Sequence, residues 1–323
     1  MKKILKTSFF VFSFLALFYS SAFAFLEFQK EKILSTDVPG VRGINFKPDG
    51  SIMYITNRVA NYDAYIVQYS LSTPFDISTA TRTFDDGAGT QLTCSTSEDM
   101  QLPHAIEFKP DGTRMFITTN KNHNNGNPGV AVYQFKLTTA WDTSTLDCEE
   151  TYEVDITGSG NEDQVRTLTF KPDGTRMFVG GMSRDQIREY ILTTPFDLRS
   201  GVSEGSLSAS LESSSDASMR NIQLHSDGTI LYVAGDGNNN MHKYTLSTPW
   251  DITTISSTST EYDLGDRVSG MRGFIFTANF TKLFVTNDAG SSASTNKIFE
   301  YSLDCAGTIT CDPINDKDIT AII

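Results

Sequence analysis

Short apolar runs separated by polar turns fill the chain after its first 24 residues, and the pattern repeats. One turn unit joins two such runs each time. Phe46–Thr56 reads FKPDGSIMYIT, Phe108–Thr118 reads FKPDGTRMFIT and Phe170–Gly180 reads FKPDGTRMFVG. Leu224–Ala234 (LHSDGTILYVA) and Phe276–Thr286 (FTANFTKLFVT) are looser copies. Asp-Gly between two short apolar runs predicts a β-hairpin, so five copies predict five hairpins. A third strand follows in each copy and ends in aromatic-x-Leu: Tyr69-Ser70-Leu71, Phe135-Lys136-Leu137, Tyr190-Ile191-Leu192, Tyr244-Thr245-Leu246 and Tyr301-Ser302-Leu303.

Four copies continue into a turn: STPFD at Ser72–Asp76, TTAWD at Thr138–Asp142, TTPFD at Thr193–Asp197 and STPWD at Ser247–Asp251. Proline presets the backbone there, and the Asp side chain can cap the turn. A variable fourth strand follows, as in Thr151–Ile156 and Gly205–Glu212. The turn aspartates Asp49, Asp111, Asp173 and Asp227 lie 62, 62 and 54 residues apart. Four antiparallel strands in a unit of that length make one blade, so the chain is expected to be an all-β, five-bladed β-propeller. The fifth unit lacks a fourth strand. Phe25–Ser35 precedes the first hairpin, where that strand would lie, and is expected to complete the last blade and close the ring.

The repeats resemble those of bacterial secreted β-propellers of the YVTN and WD-like type. The resemblance rests on F-x-P-D-G-T-x-[MLI]-[FY]-[IV] and Y-x-L-[ST]-T-P-[FW]-D, and it covers nearly all of the chain beyond its first residues. It implies the propeller fold but no single activity, because propellers of this kind include binding modules, lyases, glycosidases and lactonases.

Residues 1–24 carry Lys2, Lys3 and Lys6, an apolar run from Phe9 to Phe18, and Ala22-Phe23-Ala24. That order predicts a cleaved signal peptide, a propeller over 25–311, a tail over 312–323 and a secreted or periplasmic location. No later segment is apolar enough to span a bilayer. The formal charge of −13 becomes more negative when the three leader lysines leave, which argues against nucleic acid as a partner. In an oxidising compartment the four cysteines should pair: Cys305 with Cys311 across a short loop, and Cys94 with Cys148 by elimination.

Candidate chemistry gathers just before the first strand of each blade. Arg42, His104, Arg166, Arg220 and Arg272 align there, and a ring of cations at the channel mouth would attract a carboxylate, phosphate or sulfate. Asn57, Asn120, Asp236 and Asn287, in the loops between second and third strands, would add hydrogen bonds. A second reading makes the basic residues blade-to-blade clamps. By strand alternation Arg42 shares a face with Ile44 and Phe46, and Asp37, Asp99, Asp163, Asp216 and Asp266 precede the five positions as pairing partners. The two readings can coexist.

Enzyme signatures are sparse. The alternate inner-strand positions are Asn45, Glu107, Thr169, Gln223 and Ile275, and Glu107 alone is acidic, whereas glycoside hydrolysis normally uses two carboxylates. No nucleophile elbow, clustered metal ligands or cofactor motif appears. Phe75, Trp141, Phe196 and Trp250 recur once per blade and are expected to pack blades together. The leading expectation is a non-enzymatic binding module for a small anion or an acidic glycan, or for a protein partner. The alternative is a lactonase-like or glycan-cleaving propeller.

Overall fold

The computed structural model of the protein describes residues 26–34, 38–59, 63–83, 89–92, 94, 100–121, 129–156, 164–211, 218–235, 237–264, 267–288 and 296–303. They form β1 (Leu26–Ile33) and then five blades. Blade 1 holds β2 (Val41–Phe46), β3 (Ile52–Arg58), β4 (Ala64–Leu71) and an outer position shared by β5 (Ala80–Arg82) and β6 (Thr90–Gln91). Blade 2 holds β7 (Met100–Phe108), β8 (Arg114–Lys121), β9 (Gly129–Leu137) and β10 (Leu146–Asp155). Blade 3 holds β11 (Val165–Phe170), β12 (Arg176–Gly181), β13 (Ile187–Thr194) and β14 (Asp197–Leu207). Blade 4 holds β15 (Met219–Leu224), β16 (Ile230–Gly235), β17 (Met241–Thr245) and β18 (Thr260–Tyr262), and blade 5 holds β19 (Met271–Phe276), β20 (Lys282–Asp288) and β21 (Asn296–Leu303).

The ring closes as expected. β1 pairs antiparallel with β21, Leu26 opposite Leu303 and Ile33 opposite Lys297, and so becomes the outer strand of blade 5. The inner strands touch in the cycle β2, β7, β11, β15, β19 and back to β2. The protein is therefore a five-bladed β-propeller. Each of its five apolar clusters joins residues of two neighbouring blades, so the core lies between blades rather than within them.

The repeated turn explains that packing. Asp49, Asp111, Asp173 and Asp227 accept a hydrogen bond from the backbone amide two residues on, at 2.8–3.0 Å. The next residue, Gly50, Gly112, Gly174 or Gly228, takes a φ of +71° to +75°, which glycine adopts without strain. Its bare face is covered by the aromatic of the following turn: a Cβ on Gly174 would stand 2.0 Å from the Phe196 ring, and one on Gly112 2.3 Å from Trp141. The aromatic's own amide donates to the glycine carbonyl, as from Phe75 to Gly50 and Trp250 to Gly228. The two turns of a unit thus form one packed corner, and the recurrent aromatics are blade packing.

Blade 5 builds the corner differently. Asn279 replaces the Asp and accepts from the Thr281 amide, while Phe280 replaces the Gly and takes φ 53° itself. Its ring stands 5.1 Å from Phe276, where Phe46–Phe75, Phe108–Trp141 and Phe170–Phe196 stand 5.2–5.4 Å apart. The ring that a later turn delivers elsewhere comes here from the hairpin turn.

Cys94 and Cys148 form a disulfide that ties the segment after blade 1 to β10 of blade 2. Cys305 and Cys311, Phe25, Ser35, the leader and the tail lie outside the described residues. No helix among the described residues is long and apolar enough to cross a membrane.

Candidate functional site

The five inner strands line a central channel, and their alternate residues Asn45, Glu107, Thr169, Gln223 and Ile275 all face a cavity of about 210 Å³. Arg166, Arg220 and Arg272 line the same cavity. The inner strands pack closely: a Cβ on Gly43 would meet the His104 carbonyl at 2.2 Å.

A β-bulge sits at the basic position of every inner strand. In β11 the pairing passes from Val165 to Thr167, in β15 from Met219 to Asn221 and in β19 from Met271 to Gly273, skipping Arg166, Arg220 and Arg272. In β2 it passes from Val41 to Ile44 and in β7 from Pro103 to Ile106, and the gaps contain Arg42 and His104. A bulge places two residues opposite one and re-aims the side chain it carries. Simple alternation would leave Arg42 on the face of Ile44 and Phe46. The bulge breaks that alternation at Arg166, Arg220 and Arg272, which line the channel cavity together with Leu168, Ile222 and Phe274, buried members of the apolar clusters.

The backbone around the bulges is held by strand-two threonines. Thr56 accepts from the Gly43 amide and donates to the His104 carbonyl, both at 2.6 Å, and Thr286 donates to the Arg42 carbonyl at 2.5 Å. Each of these hydroxyls therefore ties its own blade to the next at the level of the ring.

The five basic residues are not equivalent. Arg42 is buried and forms an ion pair with Asp288 at 2.6 Å. Burial brings its guanidinium down to about 10, with Arg272 and Arg58 adding to the effect and Asp288 opposing it, so it stays charged at neutral pH. Asp288 also lies 3.7 Å from Arg272 Nε. Arg166 donates to His104 Nε2, and to Gln164 Oε1 at 2.8 Å. Because a guanidinium only donates, His104 Nε2 is the acceptor.

Burial, reinforced by Arg166, Arg42, Arg220 and Arg272, holds the His104 imidazole well below its usual range. The ring thus holds four guanidiniums and one imidazole that its surroundings press toward the neutral form. That all four guanidiniums act on one imidazole places them together.

Of the four candidate hydrogen-bonding residues, Asn57 and Asn287 are buried. Asn57 Oδ1 accepts from the Gly40 amide at 3.2 Å, and Asn287 Oδ1 accepts from the amides of Ser269 and Gly270 at 2.9 Å. They brace the segments leading into β2 and β19 from behind the mouth. Asn120 is in β8, opposite Gln101. Asp236 lies outside the described residues, as do Asp37, Asp99, Asp163, Asp216 and Asp266. The clamp carboxylate that the structure gives, Asp288, ends strand two of blade 5 at the repeat position that Arg58 holds in blade 1, and only the fold brings it to Arg42.

Below the ring, Asn45 Nδ2 donates to the Ile106 carbonyl at 2.8 Å and to Glu107 Oε2 at 3.0 Å. Burial pushes the Glu107 carboxyl up to about 7, against the Asn45 amide and the Phe108 N–H, which favour its ionised form. Gln223 spans to the next blade, accepting from the Phe276 amide at 2.8 Å, and Asn221 donates to the Phe274 carbonyl.

No family model matches the chain, and no curated protein does. Among solved structures, it is similar to a calcium-binding protein, regucalcin, from Agrobacterium tumefaciens (14% identity, TM-score 0.47, 84% of this chain and 93% of that one). It is also similar to a periplasmic gluconolactonase from Pseudomonas aeruginosa (12%, 0.42, 80% and 69%) and to a functionally unknown protein from Desulfotomaculum acetoxidans (12%, 0.43, 81% and 73%).

Proposed function

We propose that the chain is an exported binding module whose channel mouth takes a small anion or the acidic group of a glycan. The signal peptide, the secreted or periplasmic location and the YVTN-type kinship belong to this reading. The observation that carries it is the bulge repeated at all five basic positions, with the guanidiniums of Arg166, Arg220 and Arg272 on the cavity wall. The bulge serves both roles, since Arg42 clamps to Asp288 from one of them, and it is the three arginines lining the cavity that support the anion reading. Guanidiniums present paired donors that fit carboxylate, phosphate and sulfate oxygens, and a partly enclosed site strengthens such contacts. Arg42, bound to Asp288, is the clamp of the set, and the other three arginines are the anion ligands.

The cavity is smaller than the roughly 300–1,000 Å³ of sites for drug-sized ligands, so the bound group is small or is one unit of a larger chain. A binding role also suits the channel wall, where Glu107 is the one acidic side chain among the described residues that line it. The test is a thermal-shift screen at low salt with phosphate, sulfate, uronates and calcium, using neutral sugars as controls. Stabilisation by an anion that disappears in Arg166→Ala supports the reading. Absence of any anion effect, with Arg166→Ala merely lowering the melting temperature, overturns it in favour of clamps alone.

A further inference from the structure

The channel is layered by charge. The guanidiniums of Arg166, Arg220 and Arg272 stand at the bulges, and Glu107 stands three residues further along its strand than the bulge residue His104. Three residues of strand span about 7–10 Å, so one cavity holds a cationic tier and, further along the strand, the one carboxyl among the described residues that line it.

Glu107 has no packing reason to be an acid. Its hydrogen bonds come from Asn45 Nδ2 and the Phe108 backbone N–H, and a glutamine would accept both through its carbonyl oxygen. The corresponding position of blade 4 is a glutamine, Gln223, which bonds to the next inner strand through Phe276. An enclosed carboxylate is costly to ionise, and a neutral amide avoids that cost. The carboxylate also keeps acceptor sites beyond the two in use, on a side chain that lines the cavity.

We infer that the channel is a site for a small dipolar ligand, its anionic group on the arginine tier and its protonated amine on Glu107. This rests on the anion reading of the mouth and adds the chemistry of the ligand's other end. The class is a zwitterion whose charges lie about 7–10 Å apart along an extended backbone, such as an ω-amino acid. The ligand's ammonium supplies a countercharge that no described residue gives Glu107, and Asn45 and Thr169 line the same cavity.

Calorimetry with 6-aminohexanoate, hexanoate and sulfate, on wild-type protein and Glu107→Gln, tests the inference. A charge-assisted hydrogen bond predicts that 6-aminohexanoate binds wild type about tenfold or more tighter than hexanoate. Glu107→Gln should remove that preference and leave sulfate binding unchanged, which also shows that the variant is folded. Equal affinities for 6-aminohexanoate and hexanoate, with sulfate binding intact, overturn the dipolar ligand and spare the anion site. A preference that survives in Glu107→Gln overturns the role of Glu107. Wild-type protein that binds none of the three overturns both the inference and the reading beneath it.

Discussion

Replacing Glu107 by glutamine should stabilise the propeller, and the gain should depend on pH. In the folded chain the carboxyl titrates at about 7, against an ordinary value of 4.5, because the channel wall excludes most of the water that would solvate its charge. The unfolded chain therefore loses this proton near pH 4.5 while the folded chain keeps it until about pH 7. Where the folded state holds the extra proton, stability falls as pH rises, and the fall is complete above pH 7. At about 1.4 kcal/mol per pH unit, the interval amounts to about 3 kcal/mol, an upper figure because the channel opens to water.

Glutamine keeps the hydrogen bonds from Asn45 and Phe108 and carries no proton to lose. Stability from urea titrations at pH 4.5, 6 and 8 should differ little between the two proteins at pH 4.5. The variant should lead by up to about 3 kcal/mol at pH 8. The comparison cancels every other titrating group. A difference that stays constant across the three pH values would refute the assignment of a buried, proton-holding Glu107.

Three further changes probe the architecture. Asp288→Asn leaves Arg42 buried without its ion pair and should cost about 3 kcal/mol by chemical denaturation; the same change should tighten sulfate binding, because Arg272 loses the same nearby carboxylate. The double change Cys94→Ser and Cys148→Ser opens a cross-link between cysteines 54 residues apart and should lower stability by about 4 kcal/mol, an effect that a reducing agent should reproduce in the wild type. Gly112→Ala puts a methyl group 2.3 Å from the Trp141 ring at φ +73°, so its melting temperature should drop by more than the roughly 1–2 kcal/mol of a left-handed alanine alone would produce.

The blade is legible in the sequence because it depends on local rules. Asp-Gly turns, period-two apolar runs and the PFD corner each act within a few residues, and five copies reinforce one another. The closing strand could be read from the missing fourth strand of the last unit, and Leu26–Ile33 takes that place beside β21. Phe280 was hidden because its ring substitutes for one that arrives from a different turn, an equivalence visible only in space.

The mouth was half legible. Alignment of the repeats picks out Arg42, His104, Arg166, Arg220 and Arg272, and alternation puts Arg42 on a blade face, where it meets Asp288 of the neighbouring blade; the bulge at each position leaves no signature in residue type. The lowered basicity of His104 comes first from its burial and then from guanidiniums of four blades, neither of which a local pattern carries. Asp288 belongs to the same class, since its pairing with Arg42 spans 246 residues and closes only with the ring.

The central claim is that the bulged arginines hold an anion at the channel mouth. The most direct measurement is a calorimetric titration of the protein with sulfate at low ionic strength, repeated with Arg220→Gln. Arg220 lines the cavity and is only partly buried, so the substitution should leave the blades intact. The account predicts one saturable sulfate site that weakens as sodium chloride is added and is lost in Arg220→Gln at an unchanged melting temperature. Sulfate heats that never saturate, or a site that Arg220→Gln leaves untouched, would contradict it.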